Sequence, residues 1–355
     1  MIEIFGIPSQ ALFGQLLLGL INGSFYALLS LGLAVIFGML NIINFSHGAQ
    51  YMMGAFAAFL LLRYLELNYW IALIVVPILV GATGVLIERN FISQLSSASK
   101  TRVVVFMGSA GLLFVVFARA LQLDSTVALA LAIAAGLVIA EAWNFLQFAR
   151  TAPSHEPVDH LYGLLLTFGI ALIIEGLFRN QYGSSGLPYR VPSQLQGGQN
   201  LGFMFLPNYR GWVVVFSLAV CLATWFMIEK TRLGAYLRAA TENPTLVRAF
   251  GINVPRMITL TYGFGVALAA LAGVMAAPIY NVSPQMGANL IIVVFAVVVI
   301  GGMGSIMGAI VTGFGLGLIE GLTKVFFPEA SNTVIFVIMA IVLLVRPAGL
   351  FGRTA

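Results

Sequence analysis

The chain has 355 residues, of which 60% are hydrophobic and only 8% charged, and its mean hydropathy is +1.02. A soluble domain carries about 25% charged residues, so this composition excludes a water-soluble core with a solvated surface and places the chain among polytopic membrane proteins. The formal charge of +5 fits a positive-inside loop bias and a contact with membrane lipid, and no nucleic-acid partner is expected.

Apolar runs fall at about 11–38, 48–65, 70–90, 102–121, 126–148, 160–180, 210–229, 257–279, 287–303, 305–325 and 331–346. Their lengths match membrane helices, and none shows the alternation of a membrane barrel. The expected fold class is therefore all-α, a polytopic helical bundle of about ten or eleven spans forming one transmembrane domain over 1–355. The first run is too long, and its flank too poor in basic residues, for a cleavable signal. Cys221 lies alone inside an apolar run, which excludes an intramolecular disulfide.

Between the first two runs stands "NIINFSHGAQ", with Asn41, Asn44, Ser46, His47 and Gln50 close together. Polar side chains at membrane depth are costly unless they face protein or a water-filled path. Two readings stand: a short polar loop at the cytoplasmic surface, or a broken or re-entrant segment near 41–50 that lines a translocation path. Further on, Glu175 and Arg179, and Glu320 and Lys324, are spaced i,i+4 in the favourable order for pairing on a helix. Such pairs ease burial, and they count against a proton-coupled carrier, which needs an unpaired carboxylate. The segment 181–209 is rich in Gly, Pro, Gln and Ser and reads as an irregular external connection.

Lys230, Arg232, Arg238, Arg248 and Arg256 crowd into one loop, 230–256. Asn243 followed by Pro244 predicts a helix N-cap and first turn, and Gly251 a left-handed C-cap. Leu246, Val247 and Phe250 are expected to form one small apolar face on the two turns between. Pro255 is expected to start the next span, with Val254 held extended before it. A helix this short needs a surface to pack on. It serves either as a connector lying on lipid headgroups or as an insert for a partner's groove. Near the C-terminus, Gly304 with Gly308, and Gly313, Gly317 and Gly321 in series, form small-xxx-small ridges for tight helix packing, and Gly301-Gly302 marks a turn between spans. Placing the basic loop in the cytoplasm puts Arg89, Lys100, Arg102, Arg150, Arg346 and Arg353 on its side, and Arg63, Arg119, Arg179, Arg190, Arg210 and Lys324 on the other.

No catalytic constellation is present. The three lysines, Lys100, Lys230 and Lys324, none of which follows glycine, leave no phosphate-gripping Gly-Lys pattern. His47, His155 and His160 are scattered, so neither a metal site nor an intramembrane protease is expected.

"LRAATENPTLVRAFGINVPR" resembles the cytoplasmic coupling loop of ABC-importer permeases, and the chain as a whole resembles the permease subunits of the branched-chain amino acid importer family. "NGSFYALLSLGLAVIFGMLNIINFSHGAQYMMGAF", "LYGLLLTFGIALIIEGLFR" and "VVIGGMGSIMGAIVTGFGLGLIEG" carry that likeness over most of the chain. It implies a non-enzymatic subunit of the bacterial inner membrane that binds no cofactor itself, while ATP is used by a separate ATPase. The implied partners are ABC ATPase subunits, a second homologous permease and an external or periplasmic solute-binding protein. The implied solute is a branched-chain or related amino acid, or a similar small polar molecule. The implied path residues are Asn22, Ser24, Asn41, Asn44, Ser46, His47 and Gln50. The implied ATPase-coupling residues are Arg238, Ala239, Asn243, Pro244, Leu246, Val247, Phe250 and Gly251. Where an acidic residue often follows His-Gly in relatives, this chain has Ala49. From about 93 to 158 the family pattern breaks and two extra apolar runs intervene. Being even in number, they leave the downstream topology unchanged, and a peripheral position is expected for them. The competing reading is a stand-alone secondary transporter or channel.

Overall fold

A computed structural model describes residues 3–4, 7–40, 43–93, 160–202 and 204–352, and a few single positions from 109 to 139. The apolar runs at 102–121 and 126–148, expected to be an insertion, lie outside the described residues apart from those single positions, as does Asn41. The other nine apolar runs each contain a helix: α1 Ser9–Leu40, α2 Ser46–Leu65, α3 Tyr69–Ile87, α4 His160–Tyr182, α5 Asn208–Lys230, α8 Val254–Ala276, α9 Met286–Gly301, α10 Ile306–Phe326 and α11 Val334–Val345. Two short helices lie on the basic segment, α6 Arg232–Glu242 and α7 Pro244–Ala249. Among the described residues six helices are long and apolar enough to cross a membrane. The chain is thus an all-α, multi-pass membrane protein. Among the described residues strands are confined to two small hairpins, Glu3–Ile4 with Ile7–Pro8 and Gly198–Asn200 with Phe205–Pro207.

Helix α1 is the axis of the bundle. Its 32 residues span about 48 Å at 1.5 Å per residue, more than a hydrocarbon core of about 30 Å. It is buried almost continuously from Gly19 to Ile36 and packs most extensively on α10, with α8 on another side. The α1–α10 contact is antiparallel and built on glycine. A Cβ on Gly317 would stand 2.4 Å from the Gly19 carbonyl oxygen, one on Gly321 2.4 Å from that of Gln15, and one on Gly313 2.4 Å from Ala27 Cα. The serial ridge is therefore a backbone-to-backbone seam, which small residues alone permit. Gly308 faces a different neighbour, Gly301 of α9, whose carbonyl oxygen would lie 2.2 Å from an added Cβ. Gly304 corrects the expectation of a shared ridge with Gly308. It sits in the turn before α10 at φ +81° opposite Gly38, because Gly302 and Gly304 both take positive φ to reverse the chain there.

The two ends of the bundle differ. At one end stand the last turns of α1, α3 and α5, the first turns of α8 and α10, and helices α6 and α7. A cavity of about 470 Å³ there is bordered by Phe37, Glu229, Arg238, Ser305 and Phe351. At the opposite end aromatic rings gather: Tyr69 and Tyr209 share a hydrogen bond of 2.9 Å, and Tyr209 donates to the Met275 carbonyl at 2.8 Å. Trp70 and Trp212 stack edge-on beside them, and Trp70 Nε1 donates to Gln194 at 3.3 Å. This is the amphipathic belt expected at a membrane–water boundary. The 181–209 connection closes over this end, pinned by a backbone bridge between Leu187 and Val282. Gln199 is exposed on its small hairpin. A Gln199→Cys variant is expected to react with an impermeant thiol reagent in intact cells, Cys221 being buried. Labelling only after permeabilisation would reverse the orientation.

Candidate functional site

Two polar clusters and one surface segment gather the residues singled out by the sequence. The first cluster is the break between α1 and α2. Ser46, His47 and Gln50 belong to the first turns of α2, and all three, with Asn44, are buried. Asn44 Oδ1 accepts from Ser46 N at 3.1 Å and from Ser46 Oγ at 2.5 Å, so Asn44 holds the first turn of α2 in place. Its Nδ2 donates to the Tyr262 hydroxyl of α8 at 2.9 Å. Gln50 Nε2 donates to Ser46 Oγ at 3.2 Å, and His47 Nε2 meets the Leu29 carbonyl at 3.0 Å. From α4, the Thr167 hydroxyl donates to the Ile43 carbonyl at 3.2 Å and accepts from Phe45 N at 3.1 Å. The segment is therefore neither a surface loop nor a free strand. It is a helix break inside the protein, closed by side chains from α4 and α8, which is the setting in which such a break is tolerated at membrane depth. Thr167 escaped sequence reading because it lies singly among apolar residues, and Tyr262 because it follows Thr259 and Thr261 with nothing in the local pattern to single it out. A Tyr262→Phe variant leaves the buried Asn44 amide without this acceptor and is expected to cost about 1–3 kcal/mol, read as a lower unfolding midpoint in detergent. An unchanged midpoint would show that the network contributes nothing to stability.

The second cluster holds Asn22. Its Oδ1 accepts from the Tyr280 hydroxyl at 2.8 Å, and its Nδ2 donates to Glu320 Oε1 at 3.4 Å. Tyr26 donates to Glu320 Oε2 at 2.7 Å, and Lys324 completes the expected i,i+4 pair. Glu320 is buried and fully provided with donors, as a carboxylate in the bundle must be. Ser24, also buried, turns back to the Leu20 carbonyl at 2.9 Å within α1. Among the described residues, none of these hydrogen bonds joins Asn22 directly to the Asn44–Gln50 group.

The basic segment is ordered by its own caps. The Asn243 side chain accepts from Leu246 N at 2.9 Å, Pro244 opens α7, and Gly251 ends it at φ +80°. Helix α6 before it was not anticipated. Its signal was the spacing of Leu233, Leu237 and Ala240, with Leu237 and Ala240 buried. Arg238 Nη1 donates to the Ile228 carbonyl at 2.9 Å and lies 3.4 Å from Glu229, tying α6 back to α5. Ala239 offers its carbonyl to Asn243 N at 3.0 Å across the α6–α7 corner. Two expectations are corrected. Val247 does not share a face with Leu246 and Phe250: it is buried against Ala240 and Val254, because that face of α7 is what holds it to α6 and α8. Val254 is not extended but is the first residue of α8, since Asn253 caps that helix, its side chain accepting from Arg256 N at 3.1 Å. What remains outside is an apolar pair one helical turn apart, Leu246 at 54% and Phe250 at 77% exposure, at the basic end of the bundle.

The family model for the branched-chain amino acid transport system / permease component matches residues 15–93 and 101–343. The high-affinity branched-chain amino acid transport system permease protein LivH of Escherichia coli K12 is 28% identical over 347 residues, a match covering 96% of this chain and 95% of that protein. BraD of Pseudomonas aeruginosa, of the same description, is 26% identical over the same shares of both chains. The probable branched-chain amino acid transport permease LivH of Methanocaldococcus jannaschii is 28% identical over 206 residues, covering 53% of this chain and 63% of its own. The bundle, its capped basic segment and these matches agree: the chain belongs to the family of permease components of branched-chain amino acid transport systems.

Proposed function

We propose that the chain is the membrane-spanning permease subunit of an ABC importer for branched-chain or closely related amino acids, in the bacterial inner membrane. The observation that carries this reading is α7, a two-turn helix fixed by Asn243 and Gly251 that leaves Leu246 and Phe250 uncovered where a cytosolic partner reaches them. An apolar pair on a preorganised helix suits insertion into a groove of a separate ATPase, whose ATP hydrolysis then acts on the ends of α5 and α8 through α6 and α7. Val247 packed on Ala240 and Val254 gives that push a rigid lever. Pairing with a second homologous permease is supported by α4, whose apolar window is only 11% buried by its own chain. The solute reaches the opposite end from an external binding protein. The inserted segment 93–158 is proposed to sit at the periphery of this assembly. Co-expression with the ATPase of the same transport system tests the reading: the ATPase is expected to co-purify with the wild-type chain, and recovery of the chain alone under conditions that preserve membrane complexes would refute it.

A further inference from the structure

Below the outer connection of α8 and α9 lies a cavity of about 210 Å³ between α2, α4 and α9. This is smaller than the roughly 300–1,000 Å³ of pockets for drug-sized ligands. Its wall is apolar, from Phe45, Phe168, Leu172, Ala288 and Ile292, with a single ionisable lining residue, Glu175. The Phe45 ring closes one side, edge-on to Phe168 and stacked at 6.2 Å on Phe295. Glu175 pairs through Oε1 with Arg179 one turn along α4, and its Oε2 has no partner among the described residues. The Arg179 side chain is half exposed. Among the six described spans α4 is the one least covered by its own chain, so this pair lies on a helix face open to a solute or a partner.

We propose that this cavity is a transient binding site for an aliphatic amino acid zwitterion, its side chain in the apolar pocket, its ammonium group on Glu175 and its carboxylate on Arg179. The inference rests on the reading of the chain as an amino acid permease and deepens it, since that reading names no place where the solute is held. Three features match the three parts of the molecule: a small apolar pocket, a lining carboxylate with an oxygen to spare and, one turn along α4 beyond the lining residues, the half-exposed Arg179 guanidinium paired with that carboxylate. A sugar would find one charged pair and no array of hydroxyl partners there.

The test uses a single cysteine. Ala288 is exposed at the cavity wall, so Ala288→Cys in a Cys221→Ser background introduces a reactive group without crowding the protein. In the complete purified complex, saturating leucine is expected to slow alkylation of this cysteine by N-ethylmaleimide about fivefold or more, while glycine slows it far less. A Val311→Cys control on α10, also exposed but not at the cavity, should alkylate at a rate indifferent to leucine. Adding Glu175→Gln should abolish the protection, and Glu175→Asp should restore part of it. Equal alkylation rates with and without leucine, or protection that survives Glu175→Gln, would overturn the site. ATP-driven leucine uptake by the unmodified complex separates the outcomes: uptake without protection refutes this site alone, and no uptake refutes the amino acid reading beneath it.

Discussion

Gly317→Val is expected to remove most of the folded protein from the membrane. The added Cβ would meet the Gly19 carbonyl oxygen at 2.4 Å and Gly23 Cα at 2.4 Å. Both obstacles are backbone of α1, so no side chain can swing aside. Overpacking a core typically costs about 1–3 kcal/mol even where side chains can shift, and here two helices have to separate along their longest contact. The seam carries much of the bundle's packing, because membrane helices associate through close van der Waals contact rather than through expulsion of water. Gly315, two residues earlier on the same helix, has nothing within 4 Å of an added Cβ. Gly315→Val therefore isolates helix propensity and hydrophobicity from the clash and should accumulate normally. The check is the monodisperse fraction of each variant by fluorescence-detected size-exclusion chromatography. Equal yields for the two would mean that the α1–α10 seam is not the axis of the fold.

The second large effect is expected at α7. Phe250→Ala should leave the permease inserted and monodisperse, since the ring is 77% exposed and supports nothing within the chain. Its loss should fall on the ATPase contact, where a buried aromatic anchor contributes about 2 kcal/mol or more, or roughly a 30-fold weaker affinity. Gly251→Val should act by another route, because a β-branched residue is strained at φ +80° and the end of α7 would be displaced. Val247→Ala is the contrasting variant. It removes a contact with Ala240 and Val254, so it should lower the stability of the segment before it touches binding. Quantitative pull-down of the ATPase distinguishes them. Full retention by both Phe250→Ala and Gly251→Val would reduce α7 to a connector lying on lipid.

Hydropathy made the helices legible almost to their ends, because a long apolar run in a membrane has one low-energy backbone conformation. The caps were legible too, since Asn243-Pro244 and Gly251 act through local hydrogen bonds and a local dihedral. What the sequence hid is who meets whom. Gly313, Gly317 and Gly321 announced a ridge but not that Gly19 and Gly23 of α1 lie under it. Glu320 announced a partner four residues away and concealed Tyr26, Asn22 and Tyr280, which reach it or its neighbours across about 260–300 residues of chain. Thr167 and Tyr262 carry no local mark in their apolar helices, and only the packing of α4 and α8 on the break at 43–45 gives them their role. Val247 failed the one-face expectation for a related reason. On a two-turn helix adjacent positions point about 100° apart, and the neighbouring α6 and α8, invisible in the local pattern, decide which side is inside.

The most direct measurement of the central claim is solute uptake into proteoliposomes containing this chain alone, or with its ATPase, its companion permease and its binding protein. The account predicts leucine accumulation only in the complete system with ATP enclosed on the side of α6 and α7, and its loss in Phe250→Ala. Leucine transport by the chain alone, without ATP and indifferent to Phe250, would contradict it and establish a self-sufficient carrier.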